Sequence, residues 1–174
     1  MSPAEPNRAF LALGSNIRPE HYLPAAVHEL KKLGTLVAIS NVYQSAPVGD
    51  ENQADFLNGA VLLKTKLSAE SLCREDIPRI EQTLNRVRDP GNVNAARTID
   101  IDLVLFNRDV FQVDHRQIPD PDILTRDFLA IPLAELDPDY LHPTEQKPLK
   151  DIAASFRSGE FSPGLTFRED VRLG

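Results

Sequence analysis

Cysteine occurs once in the 174 residues, at Cys73, which excludes an internal disulfide and any cysteine-rich metal site. No apolar run approaches the roughly 20 residues that a bilayer span requires. Positive charge is in short supply. The 19 Lys and Arg residues stand against 26 Asp and Glu, a formal charge of −7. That balance argues against a nucleic-acid binder, which would show a basic face. The stretch Met1 to Arg8 is short, contains proline and is not apolar, so it does not read as a signal peptide. No internal repeat or low-complexity segment is evident. Together these absences point to a cytoplasmic protein, monomeric, with neither a membrane nor a nucleic-acid partner. Hydrophobic content of 41% is ordinary. The length suits one domain over residues 1–174 with a proper core, its ends 1–8 and 158–174 peripheral.

What the chain does have is concentrated between Arg97 and Phe106. Aliphatic and β-branched residues alternate there with two acids, the pattern of a β-strand. Side chains alternate faces, so Ile99, Ile101, Leu103 and Leu105 are expected on one buried face. Asp100 and Asp102 fall on the other, at its wet end. Two adjacent carboxylates repel and lose hydration, and a divalent cation is the usual remedy. Oxygen-only ligands suit Mg²⁺. An Asp-x-Asp pair is also common at ordinary strand ends and turns. Arg97 at the strand start, with Arg86 and Arg88 just before it, shifts the balance toward an anion site. Acids for a metal beside guanidinium groups for phosphate suggest phosphoryl chemistry on a nucleotide.

The coarse order of elements is β-α-β-β-α-β. Ala9 to Leu13 is a strand that ends at Gly14-Ser15-Asn16. Leu23, Ala26, Val27, Leu30 and Leu33 keep helical spacing up to Gly34. Thr35 to Tyr43 reads as a strand, followed by a polar loop from Gln44 to Ala54. Phe56 to Lys66 reads as another, with Phe56, Asn58, Ala60 and Leu62 on one face. A helix starts at Ser68, with Cys73, Ile77, Ile80, Leu84 and Val87 as its apolar stripe and Pro78 as an awkward interior residue. The order predicts an α+β, ferredoxin-like antiparallel sheet with helices on one face. A proline-rich C-terminal layer with a short hairpin and a helix near Phe128 to Leu136 is expected to follow.

With these pieces in place, the sequence resembles the 6-hydroxymethyl-7,8-dihydropterin pyrophosphokinase family. The resemblance rests on Leu13-Gly14-Ser15-Asn16, Tyr43-Gln44-Ser45-Ala46-Pro47, Gln53-Ala54-Asp55-Phe56-Leu57-Asn58, Ile80-Glu81 with Arg86-Val87-Arg88, Arg97 to Asp102, Ile118-Pro119 with Arg126-Asp127-Phe128, and Pro132 to Leu136, all in register. It implies an enzyme of folate biosynthesis that moves the β,γ-diphosphate of ATP onto the hydroxymethyl group of the reduced pterin and releases AMP. By the same resemblance, Asp100 and Asp102 would ligate two Mg²⁺ ions. Arg86 and Arg97 would stabilise charge on the transferring group, and Arg88 and Arg126 would contact ATP. Asn58 would hydrogen-bond the pterin, Phe56 and Phe128 would sandwich it, and Ser45, Ala46 and Val48 would line its pocket.

The chain departs from the family pattern at four points. Asp120 stands where a phosphate-contacting His is usual. There is no Trp in the loop near the pterin, where Asn92-Val93-Asn94 lie instead. Asn85 replaces a Gly before Arg86, and Ala95-Ala96 replace Gly-Pro before Arg97. A catalytically weakened pterin- and nucleotide-binding paralogue is therefore a second expectation. A ferredoxin-like interaction module without a ligand is a third.

Overall fold

The structure, a computed structural model, describes residues 5–157 and 165–174. Strand β1 (Asn7–Ser15) is central and pairs antiparallel with β4 (Phe56–Thr65) on one edge and β5 (Asp100–Phe106) on the other. The far edge of β4 takes β2 (Thr35–Ile39) and then β3 (Tyr43–Ser45), and β3 takes the two-residue β8 (Thr166–Phe167). Strands β6 (Phe111–Val113) and β7 (Arg116–Ile118) form a separate hairpin. Helices cover both faces of this mixed fold. One core lies under α1 (Pro19–Leu30) and α3 (Ile77–Thr83) and includes Leu11, Leu23, Val27, Leu63, Ile80 and Ile101. The other lies under α4 (Asp127–Leu136) and α5 (Leu149–Arg157) and includes Phe10, Leu62, Leu133, Ile152 and Phe156. Among the described residues no helix is long and apolar enough to cross a membrane.

The helical stripe of α1 buries Leu23, Ala26, Val27 and Leu30, and the next three residues tighten into a 3₁₀ turn. Gly34 then passes so close to the Lys64 carbonyl that any Cβ would collide with it. The strand expected from Thr35 to Tyr43 is broken in two. The Ser40 hydroxyl accepts the Ala60 N–H at 2.8 Å and so takes a place in the ladder that a backbone carbonyl would fill.

The second helix also differs from its expected form. Ser68 caps α2 (Ala69–Ser71), accepting from Ser71 N, and a π-helical stretch, Leu72–Asp76, leads into α3. Pro78 thereby follows directly on the widened π turn, which accommodates its ring and missing N–H within an otherwise continuous run of helical residues. Asn85, at φ 67°, ends the helix in the left-handed conformation that Asn tolerates better than most residues. Val87 is consequently off the stripe and 80% exposed.

Strict alternation in β5 also fails. Phe10 faces Leu105 while Leu11 faces Leu103, so Val104 is an extra residue in the ladder. Such a bulge reverses the faces beyond it. Leu105 joins Val104 in the α4–α5 core instead of sharing a face with Ile101 and Leu103.

The expectation of a peripheral C-terminus fails for residues 165–174. β8 extends the sheet, and Val171 and Leu173 are buried in the α1–α3 core. Residues 1–4 and 158–164 lie outside the described part.

Candidate active site

The register of β1 builds the site. Gly14 stands opposite Asn58 on β4 and opposite Asp100 on β5, and Ala12 stands opposite Asp102. Two small side chains on the central strand therefore leave a floor between taller walls. A Cβ at Gly14 would lie 3.6 Å from Asn58 Oδ1 and 3.8 Å from the Phe56 ring. The cleft over this floor is lined by Val48, Phe56, Asn58, Arg97, Asp100, Asp102, Asp120 and Phe128, among others. Seven of the residues expected in the site thus meet in one cleft.

Phe56 reaches the cleft from β4 and Phe128 from the first turn of α4. Asn58 is buried, and its Nδ2 donates to Ser45 Oγ at 2.8 Å and to Tyr43 O at 3.1 Å. Both amide hydrogens are engaged, so Oδ1 beside Gly14 is the atom left for a ligand. Ser45 accordingly sits behind Asn58 as its anchor. Ala46 is exposed and does not line the cleft.

Each acid is paired with arginine. Asp100 Oδ1 lies 2.8 Å from Arg86 Nη1, and Asp100 Oδ2 lies 3.3 Å from Arg97 Nη1. Asp102 Oδ1 lies 2.8 Å from Arg116 Nη2. Burial, reinforced by the charge of Asp100, pushes the Asp102 carboxyl up to about 7, with Arg116 opposing the shift.

Arg97 is held on all sides. Its Nε donates to Ala95 O at 3.1 Å and its Nη2 to Val93 O at 2.6 Å, and the guanidinium lies 5.8 Å from the Phe56 ring centroid. Its backbone N–H donates to Asn16 Oδ1, and its carbonyl accepts from Asn16 N and Ile17 N. Gln53 locks the same corner. It accepts from Asn16 Nδ2 through Oε1 and donates to Asp50 O and Asn94 O through Nε2. Asn16 and Gln53 belong to two of the sequence motifs, but no spacing rule pairs them.

Arg86 is not in the cleft. Its Nη1 donates to Glu81 Oε2, Ile99 O and Asp100 Oδ1, and its side chain is nearly buried behind Asp100. Glu81 also accepts from Ile101 N and Arg88 Nη2, and burial pushes its carboxyl up. Arg88 is largely exposed and lines an adjoining groove with Arg86 and Arg97. Arg126 is exposed immediately before α4. Asp120 faces the cleft, yet its Oδ1 accepts the Asp122 N–H at 2.9 Å and caps the short turn Pro121–Leu124. Sequence reading did not single out Arg116, whose partner is decided by how the hairpin folds back.

A helix-and-antiparallel-sheet fold carrying paired carboxylates, guanidinium groups and a cleft of rings and an amide defines a small-molecule transferase. The family model of 7,8-dihydro-6-hydroxymethylpterin-pyrophosphokinase matches residues 10–138, and the chain belongs to that family. A 2-amino-4-hydroxy-6-hydroxymethyldihydropteridine pyrophosphokinase of Bacillus subtilis is 41% identical over 133 residues, 75% of this chain and 78% of that one. The Aquifex aeolicus protein of the same name is 34% identical over 144 residues, 82% of this chain and 88% of that one. The fold also matches a crystal structure of Plasmodium falciparum HPPK-DHPS with pteroate, at TM-score 0.68 and 16% identity. The match covers 90% of this chain and 43% of that longer one.

Proposed function

We propose that the chain transfers the β,γ-diphosphate of ATP to the hydroxymethyl oxygen of 6-hydroxymethyl-7,8-dihydropterin and releases AMP, a step of folate biosynthesis. The observation that carries this is the placement of Asn58 and Asp100 on opposite sides of Gly14. A flat ring held by Asn58 would present its substituent toward the acid pair.

In this reading Asn58 Oδ1 accepts from the pterin, and Phe56 and Phe128 hold its faces. Val48 closes the cleft, while Ser45 fixes the amide. Asp100 and Asp102 suit Mg²⁺, because both are oxygen donors left about a third open to the cleft. That ion characteristically takes one or two carboxylates and completes its shell with water and substrate phosphate. When bound, two Mg²⁺ ions would neutralise phosphate charge. Arg97, fixed by loop carbonyls, would stabilise the charge that develops on the transferring group. Arg88 and Arg126, both exposed, are the groups for the rest of ATP. Arg86 acts from behind Asp100, which it holds in place. The pterin hydroxyl oxygen forms a bond to the β-phosphorus as the bond from that phosphorus to the AMP oxygen breaks, and the hydroxyl proton passes to solvent. Such displacement depends on positioning and positive charge more than on a strong base.

We read the order β5-β1-β4 followed by β2 and β3 as a ferredoxin-like β-α-β-β-α-β unit, with the β6–β7 hairpin and α4–α5 as its appended layer. A cytoplasmic monomer of one domain, without nucleic-acid partners, belongs to the same proposal, supported by the net charge of −7 and the single cysteine. A weakened paralogue is the second reading, favoured by the carboxylate of Asp120 in the cleft wall. Incubation with ATP, Mg²⁺ and 6-hydroxymethyl-7,8-dihydropterin tests both. AMP release at a rate set by enzyme concentration supports transfer. Ligand binding without AMP supports the paralogue, and neither result would leave only an interaction module.

A further inference from the structure

The two acids of the cleft are not equivalent. Asp100 shares two arginines from its own neighbourhood, Arg97 at a separation of three residues and Arg86 across the preceding loop. Asp102 depends on Arg116, which arrives from β7 of a hairpin outside the main sheet. The hairpin is anchored at its turn, where Asp114 accepts from Arg74 Nε at 3.1 Å and Nη2 at 3.0 Å. That anchor is solvent-exposed on both sides, whereas the Arg116 side chain is only 25% exposed. The better buried ion pair of the hairpin is therefore the one made to the acid.

We propose that Arg116 is the resident counter-ion of Asp102 and sets the affinity of the acid pair for a divalent cation. The inference rests on reading Asp100 and Asp102 as metal ligands. A guanidinium 2.8 Å from Asp102 Oδ1 competes with a cation for the same carboxylate and repels it at short range. It also offsets part of the repulsion between the two neighbouring carboxylates. The protein thus holds its acid pair charge-balanced at the expense of affinity for free metal.

Calorimetric titration with MgCl₂ alone, without nucleotide, at pH 8.5 tests this. Arg116→Gln should tighten Mg²⁺ binding by about tenfold, because a short-range opposing charge is gone. Arg116→Lys, which keeps the charge, should stay within about threefold of the parent. Arg74→Gln removes an exposed charge outside the cleft while the better buried Arg116–Asp102 pair keeps β7 in place, and should leave Mg²⁺ affinity unchanged. An unchanged or weaker affinity in Arg116→Gln overturns the proposal, as does Arg116→Lys behaving like Arg116→Gln. Should Arg116→Gln fail to fold, the parent protein gives the answer by NMR. The Arg116 side-chain Nε signal should shift with the same midpoint as metal binding, and a signal that stays fixed while the metal saturates sinks the idea. Failure of the functional reading is a separate result, namely no AMP from the parent enzyme with both substrates. AMP formation together with unaltered Mg²⁺ affinity in Arg116→Gln overturns only the role given to Arg116.

Discussion

Asn58 and Asp100 face each other across Gly14, one on each neighbour of the central strand. A hydrogen-bonding amide and an arginine-paired carboxylate are thereby separated by one glycine-floored strand. We expect side-chain size at that one position to govern how well a flat ring can lie between them.

Gly14→Ala is expected to fold normally, since its Cβ would make only ordinary contacts, at 3.6 Å to Asn58 and 3.8 Å to Phe56. The added methyl group should nevertheless weaken pterin binding by about tenfold through misplacement. Asn58→Ala should cost about 1–3 kcal/mol of pterin affinity by leaving polar groups unpaired, with ATP affinity hardly changed. Calorimetry and thermal melting separate the two effects. Equal losses for pterin and ATP would identify a folding defect instead.

Asp102 makes the apo protein sensitive to pH in a defined direction. Its carboxyl is raised from 3.8 to about 7, so the fold favours the protonated form. The corresponding stability is fully present below 3.8 and is lost as pH rises through about 7. Asp102→Asn cannot ionise, so its stability relative to the parent should improve from pH 5 to pH 8.5, by about 1 kcal/mol after allowance for solvent screening. AMP formation should disappear in the same variant. A stability difference independent of pH, measured by denaturant melts, would contradict the shift.

Leu173 packs against the back of β4, so close to Gly59 that a Cβ there would fall 2.8 Å from Leu173 Cδ1. Leu173→Ala should cost about 2–5 kcal/mol, the usual range for truncating a buried leucine. Removal of residues 165–174 should go further and weaken pterin binding. It strips β8 from β3, the strand whose Tyr43 and Ser45 hold the Asn58 amide. Pterin affinity equal to that of the full chain would show that β3 needs no flank.

Asp120 has been put to use as a turn cap, which explains how a carboxylate is tolerated in the cleft wall. Asp120→Asn keeps the oxygen that accepts from Asp122 N and removes the charge. ATP affinity should rise by about threefold at low salt and less at high salt, with melting temperature unchanged. Asp120→Ala should lower the melting temperature, because the cap on Asp122 N is lost. An Asp120→Asn affinity that is flat across ionic strength would mean that Asp120 points its charge away from ATP.

Local periodicity was enough for the strand faces of β4, for Asp100 and Asp102 side by side at the start of β5, and for the buried stripe of α1. The reason is that each depends on neighbours two to four positions away. The short motifs marked Asn16, Gln53, Asn58 and Arg97 as significant, but not what each would touch. Arg97 meets Asn16 across 81 positions, and the tail reaches Gln44 from Arg168 across 124. Such partners are chosen by chain closure, to which periodicity is blind. The same holds for the bulge at Val104, which turned Leu105 to the other core, and for the π-helical stretch that absorbed Pro78. Charge composition could count arginines near the acids. Only the folded chain assigned Arg86 to a buried place behind Asp100, Arg97 to the cleft and Arg116 to Asp102, because an ion pair forms where two backbones bring opposite charges within about 3 Å, whatever their distance in sequence.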